Sequence, residues 1–463
     1  MDLQKVDSQH RERALMGVAE AEARFKATCD ALRELAEHLG PAAHELDERG
    51  ELPSRIERVL ERVSDEDRRI KVRMLISSML RGLMDKIRSE PSTDIERDIA
   101  LRVFPVDEIP DTATELDVSA SQLSTLLDSD DLFRDVIVGI FEGGFARRQV
   151  KRRELLMQSI LAMTVSAFEV LVAAIVRAFI VSYPKSADST KKEFSLEDVL
   201  KFESMTDALE DFVESRVDAV MRGSAEDWSE WLGRGDRLGL EFSSFCPDWE
   251  STWETFQRRH LVIHTGGVVS ERYARRVTRP SAPVGHAVIV DDGYLKRAIT
   301  HLECLGLGLA ISARVQLGLN PEMAAVQANS YCYGFLLAER WDAASTMAEV
   351  GQRTSPSEMT RMMLQVNAWI AQKEIGNLET VLTEVDQWDV SALDDLFRMA
   401  RLALLDDHDG ALQMAETLCD AGTLGIMQVS EWPLLRRART SDQFPAVFRR
   451  LSGGVHQSAD ESE

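Results

Sequence analysis

Between Leu155 and Tyr183 the chain reads L-L-M-Q-S-I-L-A-M-T-V-S-A-F-E-V-L-V-A-A-I-V-R-A-F-I-V-S-Y, almost without charged side chains. A stretch this long either crosses a bilayer or runs through a protein core, because about 20 residues of helix span the hydrocarbon. Glu169 and Arg177 interrupt it near the middle, and each is costly in lipid. A buried core helix follows. Glu169 then needs a partner, since a carboxylate among apolar neighbours is paired or neutralised. Arg177 or another arginine would satisfy it structurally.

The 463 residues exceed one ordinary core, so two or three domains are expected. Leu, Ala, Glu and Arg dominate and aromatics make up only 6%, which favours helices over sheets and predicts an all-α class. Cys29, Cys246, Cys304, Cys332 and Cys419 are scattered with no C-x-x-C pair, which argues against a zinc ribbon and against a disulfide framework. The first residues hold no apolar signal-type run, and a cytoplasmic protein is expected.

Apolar spacing predicts a first helix over residues 3–38, stopped by Gly40-Pro41. Further helices are expected from Ser54, over Ile70–Ile87 and from Leu123 toward Phe145, with a break at 103–118. Residues 1–135 form an acidic helical region without a catalytic constellation. A polar linker, Pro184–Lys192, separates the apolar helix from a helical stretch at Ser195–Val220. Pro247 breaks the chain before the next helix, and a last apolar helix runs from Tyr294 to Leu317.

That helix after Pro247 leads into E-T-F-Q-R-R-H-L-V-I-H-T-G-G-V-V-S-E-R-Y, Glu254–Tyr273. The Leu261-Val262-Ile263 run is expected to anchor the segment in a core and hold Arg259, His260 and His264 in place. Gly266 and Gly267 then suit a turn. A histidine beside a fixed guanidinium suits phosphodiester chemistry, because imidazole moves protons near neutrality and arginine offers a fork to phosphate oxygens. Residues five apart on a straight helix point about 140° apart. Arg259 and His264 therefore converge only if the helix ends or bends between them, or if two chains contribute. His260 and His264 share a face and are a conceivable metal pair, but no third ligand is evident and no metal or cofactor is expected. Glu254 would orient Arg259, or act as a purely structural pair.

The net charge of −24 repels nucleic acid globally, so RNA binding would need a local basic patch. Arg147, Arg148, Lys151, Arg152 and Arg153 precede the apolar helix, and Arg272, Arg275, Arg276 and Arg279 follow the histidine motif. Either cluster is equally a solvated helix face.

The pattern from Arg259 to His264 resembles the R-x4-6-H motif of the HEPN superfamily, in the version where a polar residue, here His260, follows the arginine. The resemblance covers residues 147–320 and implies a helical bundle acting as a metal-independent endoribonuclease. It implies Arg259 and His264 as catalytic residues, with His260, Glu254, Glu169 and Tyr273 supporting. Arg147, Arg148, Lys151, Arg152, Arg272, Arg275 and Arg276 are the candidate RNA contacts. It further implies a homodimer with two motifs facing each other. Attack by a ribose 2′-hydroxyl would leave cyclic phosphate ends. A prokaryotic toxin or anti-phage defence effector is the biological expectation that follows. A non-catalytic scaffold or RNA- or protein-binding module remains open, as does a nucleotide-binding bundle, although no phosphate-loop glycine motif is present.

From Pro321 the texture changes. Ala338–Glu349 aligns with Leu405–Glu416, 67 residues on, with a weaker middle unit at Gly376–Glu379. That is twice a period of about 34, and residues 321–452 resemble tetratricopeptide repeats. An unrelated helical bundle is the alternative. Such an array, or the N-terminal region, would serve a partner, either an antitoxin or a sensor. Residues 453–463 are expected to be a disordered acidic tail.

Overall fold

The computed structural model describes residues 3–50, 61–63, 65–72, 151–183 and 202–451. The expected helices from Ser54 and Leu123, most of Ile70–Ile87, the break at 103–118, the linker, the tail, Arg147 and Arg148 lie outside them. Every described element is helical, apart from an isolated bridge between Val268 and Ala287. The chain forms two compact units, one of residues 1–33, 161–288 and 293–463, the other of 34–160 and 289–292.

Helix α1 is Leu3–Gly50. Ala14, Val18, Phe25 and Leu32 are buried as their spacing predicts, whereas Leu35 is exposed. The helix does not stop at Gly40-Pro41, and Pro41 lies inside it. At Gly40, in the second unit, a Cβ would lie 2.8 Å from Cε at the flexible end of the Met157 side chain, which would have to shift to admit it. In that unit the Asp47 carboxylate accepts from the backbone N–H groups of Arg152 and Arg153, both at 2.9 Å, and so caps helix α2, Arg152–Ser182.

In the first unit α2 buries Leu161, Val165, Phe168, Leu171, Val172, Ile175 and Phe179. Phe168 meets Phe25, Phe242 and Phe256 with ring centroids 6.2, 5.9 and 5.5 Å away. Helices α3 (Met205–Met221) and α4 (Ala225–Gly233) follow, each begun by a serine whose side chain accepts from the N3 backbone. Helix α5, Trp249–Thr265, is capped by Asp248 and ends at Gly266, and α6 is Glu271–Arg276. Helix α7 is Asp292–Gln316. By length and composition α2 and α7 are both apolar enough to cross a membrane, with 50% and 83% of their most apolar windows buried within the protein.

Glu303 of α7 has no exposed side-chain surface and is held by Arg33 at 2.5 Å, Arg340 at 2.9 Å and Lys26 at 3.3 Å. Glu22 of α1 similarly binds Arg314, Gln327 and Tyr331 at 2.8, 2.8 and 2.9 Å. These contacts fasten α1 and α7 to the helical hairpins that follow. The hairpins are α8 (Pro321–Leu337) with α9 (Trp341–Arg353), α10 (Glu358–Glu374) with α11 (Leu378–Gln387), and α12 (Asp395–Leu404) with α13 (His408–Asp420). A short helix α14, Ile426–Glu431, follows them, and a last helical stretch lies at 444–451.

The three bends are built alike. Glu339, Gly376 and Asp406 all take positive φ, at 56°, 101° and 63°. The next residue donates back across the bend: Arg340 to Phe335, Asn377 to Gln372 and Asp407 to Leu402, at 2.9, 3.0 and 3.0 Å. Ala344, Val381 and Ala411 are then buried at equivalent places. The bends stand 37 and 30 residues apart, so the middle unit presents Val381 where its neighbours present alanine.

Because Glu303 is fully buried and holds Arg33, Arg340 and Lys26, which themselves stay partly exposed, Glu303→Ala is expected to cost about 2–3 kcal/mol in urea unfolding. Glu214→Ala, which breaks the exposed Arg177–Glu214 pair, should cost less than about 1 kcal/mol. Equal losses would show that the buried site is not the tie described.

Candidate functional site

Two successive arginines on α5 have opposite environments. Arg258 is buried, and its Nε donates to Glu254 at 2.7 Å. Its guanidinium lies 3.7 Å over the Tyr294 ring, and Nη2 donates to Ser281 at 2.7 Å. Glu254 also accepts from the Tyr273 hydroxyl, and from Tyr294 at 2.7 Å. Burial and the adjacent carboxylate push the Tyr273 hydroxyl up to about 12 and raise Tyr294 well above the ordinary tyrosine value. Burial opposes the charge on Arg258, but Tyr294 and Glu254 outweigh it and hold its pKa above normal.

This corrects the expectation for Glu254. It orients Arg258, its i+4 neighbour, while Arg259 turns about 100° away. There Arg259 meets Glu169 of α2, Nη2 to Oε2 at 3.4 Å, and its Nε is buried with no hydrogen-bond partner among the described residues. Glu169 thus has an arginine partner, but not Arg177, which pairs with Glu214 at 3.1 Å. Burial raises the Glu169 carboxyl above its usual range, and Arg259 offsets only part of that.

Glu169 and Arg259 line a cleft of about 900 Å³ with His260, Gln257, Trp253, Arg222, Arg272 and Arg276. Asp218, Glu226 and Asp227 line it as well. Arg272, Arg275, Arg276 and Arg279 form no ion pair among the described residues, whereas Arg258, Arg259, Arg314 and Arg340 each do. Helix α6 holds Arg272 and Arg276 beside α5 through Tyr273 and a small core of Leu261, Val269, Tyr273, Val277 and Val288. The glycine pair makes this possible. Gly266 and Gly267 take φ of 61° and 82°, and the reversed chain pairs with residues 285–288.

The apolar triplet does not anchor the segment as a unit. Only Leu261 is buried, and Ile263 is 53% exposed. The reason is helical phase: three consecutive residues span about 200° of a helix, so one face cannot bury all of them. α5 continues unbroken to Thr265, and no bend brings Arg259 and His264 together within the chain. His264 is exposed and is not among the residues lining the cleft. The His260 and His264 rings lie 4.5 Å apart. Partial burial lowers the His260 pKa below 6.5, and His264, Arg272, Arg259 and Arg276 lower it further.

No protein-family model matches the chain, and neither any curated protein nor any solved structure matches it. What can be said of the site therefore rests on its own geometry. Among the described residues no group of three or more His, Cys, Asp and Glu side chains is placed to hold a metal. Lys151 and Arg152 belong to the second unit, and Arg152 lies 3.5 Å from Asp47. Sequence reading passed over Trp253 and Gln257, although their spacing from His260 and His264 puts all four on one helical stripe.

By proton NMR, His260 is expected to titrate below 6.5. Its midpoint should rise in His264→Ala and in Arg272→Ala, since each removes a group that disfavours the imidazolium. A midpoint unmoved by both changes would break the link to that cationic surface.

Proposed function

We propose that the protein is a metal-independent endoribonuclease of HEPN type. The observation that carries this is the cleft in which Arg259, Arg272, Arg276 and His260 gather beside Glu169, in a chain of net charge −24. Arg272 and Arg276 form no ion pair among the described residues, and an anionic ligand would pair with them beside a histidine whose pKa is lowered. Arg259, already steadied by Glu169 and with an unsatisfied Nε, would bind the charge that develops on a phosphodiester. His264 would take the proton of the attacking 2′-hydroxyl or give one to the leaving oxygen, and His260 would contact the phosphate or set the position of His264. The products would be cyclic phosphate and 5′-hydroxyl ends.

Because His264 points away from Arg259 on one straight helix, this reading calls for a homodimer in which each active site takes the two residues from different chains. The hairpins of 321–452, read as a tetratricopeptide-like array, would then receive an antitoxin or a sensor. A toxin or anti-phage effector is the biological role this combination suits. The same exposed His264 favours the second reading, a non-catalytic RNA- or protein-binding scaffold in which the cleft only binds.

Wild type should cleave transfer RNA and a mixed-sequence RNA in EDTA and leave cyclic phosphate ends. Arg259→Ala and His264→Ala should each lower the rate by about 10²–10⁴-fold at unchanged melting temperature. Co-assembly of the two variants should restore about a quarter of the wild-type rate, since half of random dimers are mixed and one of their two sites is intact. Full activity in both single variants excludes the nuclease assignment. Loss in both without recovery on mixing excludes the shared site.

A further inference from the structure

We propose that the cleft contains a nucleobase subsite, in which a base of single-stranded RNA stacks on Trp253 and is met at its edge by Gln257. The ribonuclease reading enters only in naming RNA as the polymer. On α5, Trp253, Gln257, His260 and His264 are spaced by four, three and four residues, so they form one stripe along the helix. Trp253, Gln257 and His260 line the cleft. From Trp253 to His260 the stripe rises about 10 Å, at 1.5 Å per residue. One end of it is aromatic and amide, and the other lies among Arg259, Arg272 and Arg276.

A ligand matching this order has a flat heteroaromatic part with a hydrogen-bonding edge and, next to it, a negative charge. A nucleotide in a single strand is that ligand, since its base is free to leave the stack and lie on an aromatic side chain. Trp253 is half-buried and supported from behind, its ring centroid 6.2 Å from that of Trp249, which in turn lies 6.2 Å from Phe242. A platform held this way loses little freedom when a base settles on it. The Gln257 amide makes no hydrogen bond among the described residues, so both its donor and its acceptor are available. Asp218 and Glu226 also line the cleft and disfavour a phosphate directly beside them.

The experiment uses the full-length protein and a non-cleavable 2′-O-methyl hexanucleotide, alongside the same backbone with abasic sites. Trp253→Ala should weaken binding of the hexanucleotide on the order of tenfold. It should leave the weaker binding of the abasic backbone unchanged, and Trp253→Phe should recover most of the loss. Arg272→Ala should weaken both probes alike. Equal losses for the two probes in Trp253→Ala, no loss in that variant, or no binding of either probe by wild type each overturn the subsite. Base-dependent binding without cleavage in EDTA would keep the subsite and remove the nuclease reading. Cleavage unaffected by Trp253→Ala would do the reverse.

Discussion

A carboxylate placed where water cannot follow it sets the form of this protein's cleft. Glu254 lies on the inner side of α5 and takes hydrogen bonds from Arg258 on its own helix, Tyr273 on α6 and Tyr294 on α7. A buried charge is tolerated only when its lone pairs are used, so the positions of these groups are fixed together. Tyr273 is the hinge of that arrangement, because it also belongs to the small core that seats α6 against α5. Arg272 and Arg276 of α6 face the cleft as a consequence of a polar contact made behind them. Preorganised charge of this kind needs no rearrangement when an anion arrives.

Much of the architecture was legible in the sequence, for reasons that lie in particular residues. The all-helical class follows from composition, and the starts of α5 and α7 follow from Pro247 and from the irregular stretch after Tyr273. Glu169 announced its need for an arginine because it stands almost alone on an apolar helix. What spacing could not say was which arginine, since the partner lies ninety positions away in the chain. The choice between Arg258 and Arg259 was equally hidden. Neighbouring residues differ by about 100° around a helix, and only the placement of α2 and α7 decides which faces a core. Gly40-Pro41 looked like a stop because the chemistry of each residue ends helices. In the fold Gly40 instead sits inside α1 against the tip of the Met157 side chain.

Charge is distributed unevenly in a way that matters more than its sum. Elsewhere in the described structure arginines are often tied to carboxylates, as Arg33, Arg314, Arg340 and Arg450 are. Around α6 they are not. The acidic remainder of the surface disfavours loose contacts with polyanions, while the cleft offers a short range of attraction that salt at physiological strength confines to about 8 Å. On the proposed reading, such a protein would ignore most of a polyanion and engage it at one place.

The unequal bends of the hairpin series carry a geometric consequence. Helices α8 and α10 are 17 residues long, and α12 is 10. The difference is seven residues, close to two full turns at 3.6 residues per turn. Trimming a helix by whole turns leaves the direction of every remaining side chain unchanged, so Phe397, Ala400 and Leu404 still point into the array. The cut lowers that wall by about 10 Å. The 3₁₀ turn Pro433–Leu435, directly after α14, packs against both α10 and the shortened α12. Beyond that turn a helical stretch at 444–451 is tied back to α13 by Arg450, which holds Glu416 at 2.5 Å, so the lowered wall is backed by pieces that are not hairpins.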